Sequence, residues 1–209
     1  KTSLMRILVS YLRPDEGRAS ICGLDVQKHS LDVRRRLGYL AEHNPLDEDM
    51  YVMEYLEYVG RLYGLKRQLP KRLATLVDQC GLGPETGKKI GMLSKGYRQR
   101  LGLAQALIHD PEVLILDEPT TGLDPNQLHE IRQLIRETGK HKTLILSTHI
   151  LQEVKAICDH VLVLHQGRLV ADAPMQELFF SGRPGRWIEL EFNRPPDADR
   201  LAAVEGVDK

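Results

Sequence analysis

Val113-Leu114-Ile115-Leu116-Asp117-Glu118-Pro119-Thr120-Thr121-Gly122-Leu123-Asp124 is the stretch on which the reading of this chain turns. Its four consecutive apolar residues, Val113–Leu116, predict a strand covered on both faces, as in a parallel sheet. Asp117 and Glu118 then stand at the C-terminal end of that strand, and Pro119 stops it. In open α/β sheets, ligands sit outside this edge. Two adjacent carboxylates there suit two jobs, one holding a metal ion and one orienting a water. A plainer reading stays open at this point: a strand entering a turn whose acids cap the next helix, as Asp124-Pro125 is placed to do.

With 209 residues the chain is long enough for one α/β domain and a subdomain. Its 29 basic and 29 acidic residues balance, so no strong field points to nucleic acid or an anionic membrane. Mean hydropathy is slightly negative, and apolar runs such as Val161–Leu164 are far too short to span a bilayer. No signal-peptide pattern opens the chain. The scattered Cys22, Cys80 and Cys158 argue for reduced thiols in a cytoplasmic protein and against a metal site. The chain opens on Lys1 and closes after a strand-like segment, so truncation at both ends is expected.

Outward from the central stretch, the pattern alternates strands with helices. Lys1-Thr2-Ser3 leads into a helix with apolar residues at Leu4, Ile7, Leu8, Tyr11 and Leu12, before a turn at Pro14–Gly17 and a strand at Ala19–Cys22. A Lys-Thr pair opening a helix matches the tail of a P-loop, G-x-x-x-x-G-K-[ST], with its glycines before residue 1. Lys1 would then reach the β- and γ-phosphates of a nucleotide, and the Thr2 hydroxyl would bind Mg²⁺. The alternative is that the chain simply begins with Lys-Thr. Ser30–Leu37 reads as a short helix with Arg34, Arg35 and Arg36 solvated, and Leu37–Ala41 as a strand ending at Glu42. Asp49–Leu65, with Gly64 as a C-cap, and Leu69–Cys80 read as amphipathic helices between strands. Ser94 and Gly96 precede a helix carrying Leu101, Ala104, Leu107 and Ile108. There a hydroxyl, bare amides and a positive helix end make an anion site, unless Ser94 is an ordinary N-cap.

After the central strand, Pro125–Thr138 predicts a helix facing inward with Leu128, Ile131, Leu134 and Ile135. Thr143–Leu146 predicts a buried strand running into Ser147-Thr148-His149, on the same sheet edge as Asp117 and Glu118. Helix Leu151–Cys158 and a hairpin, Val161–Leu164 and Leu169–Asp172 turning at Gln166-Gly167, follow. Trp187–Phe192 alternates as a further strand and Pro195-Pro196 breaks it.

Taken together, these segments resemble the nucleotide-binding subunit of ABC transporters, to about residue 180. The resemblance rests on an ordered set: the Lys1-Thr2 helix, Gly38-Tyr39-Leu40-Ala41-Glu42, Leu93-Ser94-Lys95-Gly96, the Walker B-like Leu114–Pro119, the D-loop-like Gly122-Leu123-Asp124, and Ser147-Thr148-His149. It implies an α/β fold with a P-loop NTPase (RecA-like) core over residues 1–42 and 101–180 and an inserted helical subdomain over 43–100. Residues 186–209 would start a truncated C-terminal accessory domain. Within the family the chain resembles the ABC-2 exporter branch, and the stretch from Glu42 to Leu65 is close to gliding-motility-associated ATPases of that branch.

The resemblance further implies an ATPase that uses ATP and Mg²⁺. Lys1, Thr2 and Ser3 would hold phosphate, while Thr2, Asp117 and Glu42 would hold the metal. Glu118 would act as general base, His149 as a γ-phosphate sensor, and Glu42 as a further catalytic residue contacting metal and water. Ser94 and Gly96 would reach the nucleotide of a second copy, and Asp124 would couple the two sites of a homodimer. A transmembrane permease is the expected partner, with no nucleic acid, at the cytoplasmic face of the membrane as a peripheral subunit. Two departures bear on rate: Glu42 stands where most of the family has Gln, and Lys95 and Tyr97 alter the signature around Ser94 and Gly96. Rival readings are a non-transport ABC ATPase of translation or DNA repair, a catalytically inactive regulatory module, or another P-loop enzyme. A GTPase would need an Asn-Lys-x-Asp guanine reader, which the chain lacks.

Overall fold

The computed structural model describes residues 1–180; the strand expected at Trp187–Phe192 and the accessory domain expected over 186–209 lie outside the described residues. In chain order the elements are α1 (Thr2–Leu8), β1 (Ser20–Ile21), β2 (Leu24–Asp25), α2 (Ser30–Arg36), β3 (Leu37–Leu40), α3 (Val52–Leu62) and α4 (Leu69–Gln79). They continue as α5 (Lys95–Leu107), β4 (Val113–Asp117), α6 (Pro125–Gly139), β5 (Thr143–Ser147), α7 (Leu151–Ile157), β6 (His160–His165), β7 (Arg168–Pro174) and α8 (Met175–Phe180). Residues 1–175 form one compact unit, and residues 176–209 fall in a second.

Strand β4 sits between β3 and β5 in a parallel sheet, with Leu40 beside Leu116 and Asp117 beside Ser147. All its residues are buried, because successive side chains of the apolar run enter different cores on the two faces. Leu114 and Leu116 pack with Leu56, Leu76, Ile90, Leu101 and Ile131 on one face. Val113 and Ile115 pack with Met5, Val9, Val26 and Val33 on the other. The helices over residues 43–100 therefore have no separate core: their apolar faces belong to the same cluster as the sheet.

Two expectations change. The first helix ends at Leu8, and Ser10 takes a left-handed φ of 59° that carries Tyr11 and Leu12 off the helical face. Met5 and Val9 face the core, while Leu4 and Tyr11 are exposed. Strand β5 is only half-buried along Leu144–Leu146, because within this sheet it is an outer strand with β4 as its one neighbour. The hairpin turn holds as expected: Gln166 and Gly167 both have positive φ, the geometry of a two-residue hairpin loop. Cys22, Cys80 and Cys158 are free thiols.

Two contacts tie the helical insert to the sheet. The Arg72 guanidinium on α4 donates to the carbonyls of Leu107 (2.6 Å) and Ile108 (3.1 Å), serving the open C-terminal end of α5. The His109 ring, stacked on Tyr63 at 3.8 Å between centroids, donates from Nε2 to the Leu37 carbonyl of β3 at 3.0 Å. Burial pushes the His109 pKa down to about 4 from 6.5.

The unfolded chain therefore takes up a proton at His109 between pH 6.5 and about 4 that the folded chain does not. Stability conferred by the neutral ring is complete above pH 6.5 and falls as pH drops through that window. The expected loss is about 2 kcal/mol after discounting for partial exposure. Urea titrations at pH 7 and pH 4.5 should show it, and His109→Phe should flatten the difference. A second expectation concerns Gly38. A Cβ there would run into the Ala106 carbonyl oxygen and come within 2.9 Å of Leu114 Cδ1, so strand and helix backbones meet at this point. Gly38→Ala should cost about 1–3 kcal/mol in the urea midpoint, since a backbone carbonyl cannot swing aside.

Candidate functional site

The C-terminal edge of the three parallel strands gathers the site. Strand pairing delivers Asp117 and Ser147 side by side, and the residues that follow each strand, Glu118 and Thr148-His149, continue along the same edge. Glu42 leaves β3 at this edge as well, two residues past the Leu40–Leu116 pair, and is exposed to solvent. Helix α1 brings the chain's start to the same place: Lys1 Nζ donates to the Thr148 carbonyl at 2.5 Å. Thr2, the first residue of α1, is half-buried and Ser3 is exposed.

Asp117 is fully buried, and both of its carboxylate oxygens lack a hydrogen-bond partner within the protein. Burying a carboxylate in that condition costs several kcal/mol unless something else satisfies it. The Ser147 hydroxyl beside it is also buried without a partner. An all-oxygen donor set of this kind suits a small hard cation such as Mg²⁺, which keeps several waters and needs only one or two carboxylates. Among the described residues no cluster of three or more His, Cys, Asp or Glu side chains suited to a metal occurs.

Glu118 is held differently. Its backbone N–H extends the β4–β5 ladder to the Ser147 carbonyl at 2.9 Å, and its φ of +51° is left-handed. Such a conformation is strained for a non-glycine residue and persists where neighbours over-determine it. Thr121 Oγ1 donates to Glu118 Oε2 at 3.2 Å, and His149 Nδ1 lies 2.8 Å from the same oxygen. A carboxylate oxygen accepts, so Nδ1 carries the hydrogen. That leaves Nε2 of the largely exposed His149 ring for another partner.

Ser94, Gly96 and Asp124 belong to the contact between the start of α5 and the loop and helix after β4. Asp124 caps α6, accepting from the N–H groups of Asn126 and Gln127 at 3.0 Å each. The helix-capping alternative is thus correct for Asp124 and not for Asp117 or Glu118. Ser94 is the N-cap of α5, accepting from Tyr97 N–H at 3.4 Å. Gly96 is buried under the Gln127 side chain, whose Cδ would stand 2.5 Å from a Cβ at that position. The Lys95 ammonium lies against Gly122, which has a φ of +72°. The signature-like helix start and the loop after β4 are therefore packed on each other, and among the described residues no hydrogen bond joins Ser94 or Gly96 to Lys1, Asp117 or Glu118.

The sequence assigns no role to Thr121 or Glu153, and names Thr148 only within Ser147-Thr148-His149. Thr121 is a second holder of Glu118. Thr148 and Glu153 bond to each other at 2.8 Å beneath His149. The signal available for Glu153 was an acid in the first turn of a helix, which its effect on the helix dipole accounts for equally well.

The ABC transporter family model matches residues 1–121. NatA, an ABC transporter ATP-binding protein of Bacillus subtilis, is 37% identical over 88% of this chain and 76% of its own length. The daunorubicin resistance ATP-binding protein DrrA3 of Streptomyces coeruleorubidus is 40% identical over 85% of this chain, which spans 57% of that protein. The bacitracin transport ATP-binding protein BcrA of Bacillus licheniformis is 36% identical over 92% of this chain, which spans 62% of that protein. Among solved structures, cbiO1 of Clostridium perfringens, part of the transporter complex cbiONQ, superposes with a TM-score of 0.76 at 28% identity. The match covers 86% of this chain and 74% of that one. An ATP-binding subunit of an ABC transporter gives the same TM-score over 87% and 76%. With the P-loop NTPase fold common to these relatives, the chain belongs to the ABC transporter family, and most of its length is similar to ATP-binding subunits of that family.

Proposed function

We propose that this chain binds and hydrolyses ATP as a subunit that powers an ABC-2 type membrane exporter, acting as a two-fold dimer. The observation that carries the reading is the pairing of a fully buried, unpartnered Asp117 with a Glu118 fixed by His149 and Thr121. One carboxylate is prepared for a cation and the next for a water.

On this reading Lys1, Thr2 and Ser3 take the phosphates, with a glycine loop preceding Lys1, and the Lys1 ammonium exchanges the Thr148 carbonyl for a phosphate oxygen. Thr2, Asp117 and Glu42 hold Mg²⁺, Asp117 through the metal's water shell. The ion, when bound, neutralises charge on the phosphate oxygens. Glu118 orients the attacking water and takes its proton at Oε1, the oxygen that His149 and Thr121 leave open. His149 offers Nε2 to the γ-phosphate. Ser94 and Gly96, at the start of the thirteen-residue α5, approach the nucleotide of a second copy once Gln127 swings aside, so each site is completed by its partner. Asp124, by setting the start of α6, carries the state of one site to the other. Residues 1–42 and 101–180 serve as the ATPase core, 43–100 as the helical subdomain and 186–209 as the start of an accessory domain. The helices after Glu42 meet a transmembrane permease at the cytoplasmic face of the membrane, and no nucleic acid takes part. No helix among the described residues is long and apolar enough to cross a membrane, which fits a peripheral subunit.

The first experiment is to read the gene upstream of Lys1 and assay its full-length product for Mg²⁺-dependent ATP hydrolysis. A glycine loop followed by turnover supports the reading; its absence removes the phosphate role of Lys1 and Thr2. Glu118→Gln should lower turnover by about 10²-fold or more and accumulate an ATP-bound dimer, seen by size-exclusion chromatography with nucleotide. Unchanged activity would remove Glu118 from its role. His149→Ala should cut kcat by about 10²-fold and leave nucleotide binding measurable. Glu42→Gln should preserve activity if oxygen ligation is its whole contribution, and complete loss would mean the charge is used.

A further inference from the structure

Beneath His149 lies a carboxylate that the proposed chemistry does not use. Glu153, in the first turn of α7, is fully buried. Its Oε2 accepts from the Thr148 hydroxyl at 2.8 Å, and that hydroxyl accepts in turn from the Ile150 N–H at 3.1 Å. The residues on either side of His149 are thus pinned to one oxygen, Thr148 Oγ1, which Glu153 holds. Oε1 has no hydrogen-bond partner; the nearest charge is the Arg132 guanidinium on α6 at 3.9 Å, whose Nε is also buried without one.

A buried charge with one oxygen unsatisfied is a poor way to stabilise a helix–helix contact. Apolar residues of the same size usually do at least as well there. What the carboxylate adds is direction. It fixes the rotamer of Thr148 and hence the backbone of 148–150, which puts the imidazole on Glu118 and the Thr148 carbonyl under Lys1. Arg132 belongs to the helix capped by Asp124, so the same carboxylate faces the element that starts at the loop after β4.

We propose that Glu153 is a positioning residue for the reaction: acting through the Thr148 hydroxyl, with Arg132 as its counter-charge, it seats His149 against Glu118. Glu153 touches neither nucleotide nor reacting atoms, so its loss loosens His149 and lowers kcat, while ATP binding is kept. This proposal rests on the ATPase reading above.

The test uses the full-length protein and four variants: Thr148→Val, Thr148→Ser, Glu153→Gln and His149→Ala. Thr148→Val, which keeps the shape and removes the hydroxyl, should lower kcat about tenfold with KM and the Kd of a fluorescent ATP analogue within about twofold of wild type. Thr148→Ser should restore the rate. Glu153→Gln should lower kcat as well, because its single carbonyl oxygen, if it accepts from Thr148, leaves an N–H₂ donor facing the donor groups of Arg132. The deciding arm places Thr148→Val in a His149→Ala background. If the hydroxyl acts through His149, the double variant is no slower than His149→Ala alone. A further tenfold loss there, or wild-type kcat in Thr148→Val, overturns the role of Glu153 while leaving the ATPase reading intact. A wild-type protein with no ATPase activity overturns both. Should Glu153→Gln fail to fold by circular dichroism, the Thr148 variants, which leave the carboxylate in place, decide alone.

Discussion

The placement of β4 between two parallel neighbours is the constraint from which the rest of this structure follows. A strand paired on both sides and covered on both faces favours apolar residues throughout, and here the apolar run ends at Asp117, which is still fully buried. Because the strands are parallel and in register, their C-terminal ends reach one edge together. The chain leaves β3 toward Glu42, β4 toward Glu118 and β5 toward His149. Helix α1 packs beneath the same sheet through Met5 and Val9 and carries Lys1 to that edge. No single residue of the site specifies its neighbours; the register does.

Several unfavourable features meet along this edge, although Arg98 Nε and His109 Nδ1 are also buried without partners and Ser10, Cys22, Asp110 and Gln166 also have positive φ. Asp117 and Glu153 are buried carboxylates without full hydrogen bonding, Ser147 and Thr120 are buried hydroxyls without partners, and Glu118 is held at a left-handed φ. Each costs on the order of 1–3 kcal/mol or more. Their proximity on one sheet edge makes the region a candidate binding site.

The helical insert is tied to the sheet by a shared core and by polar contacts at the end of α5. Its helices share the core of β4, so a shift of α3 or α4 is felt at Leu114 and Leu116. Arg72 and His109 fasten it at the end of α5, opposite the end where Ser94 begins that helix. In the loop after β3, Glu48 pairs with Arg98, one turn into α5, at 2.8 Å. The segment following Glu42 and the helix start bearing Ser94 and Gly96 are thus parts of one packed body.

The alternation of strands and helices, the buried central strand, the two-residue hairpin turn and the family motifs are legible in the amino-acid sequence. These depend on local periodicity and on glycine, proline and capping residues that act over a few positions. The sequence also placed Asp117, Glu118 and His149 on one sheet edge, because a parallel sheet presents its loops there. The sequence left both readings of these acids open, and the packing separates them: Asp124 accepts from backbone N–H groups as a cap, whereas both Asp117 oxygens lack a partner within the protein. Tertiary structure decided too that the first helix ends at Leu8, since the turn at Ser10 follows how the chain closes on the sheet rather than any helix-breaking residue. The Thr148–Glu153 bond and the contact of Gln127 with Gly96 join residues five and thirty-one positions apart. Side-chain contacts of that kind follow from how α6 and α7 pack against the sheet edge, and no periodicity in the sequence encodes them.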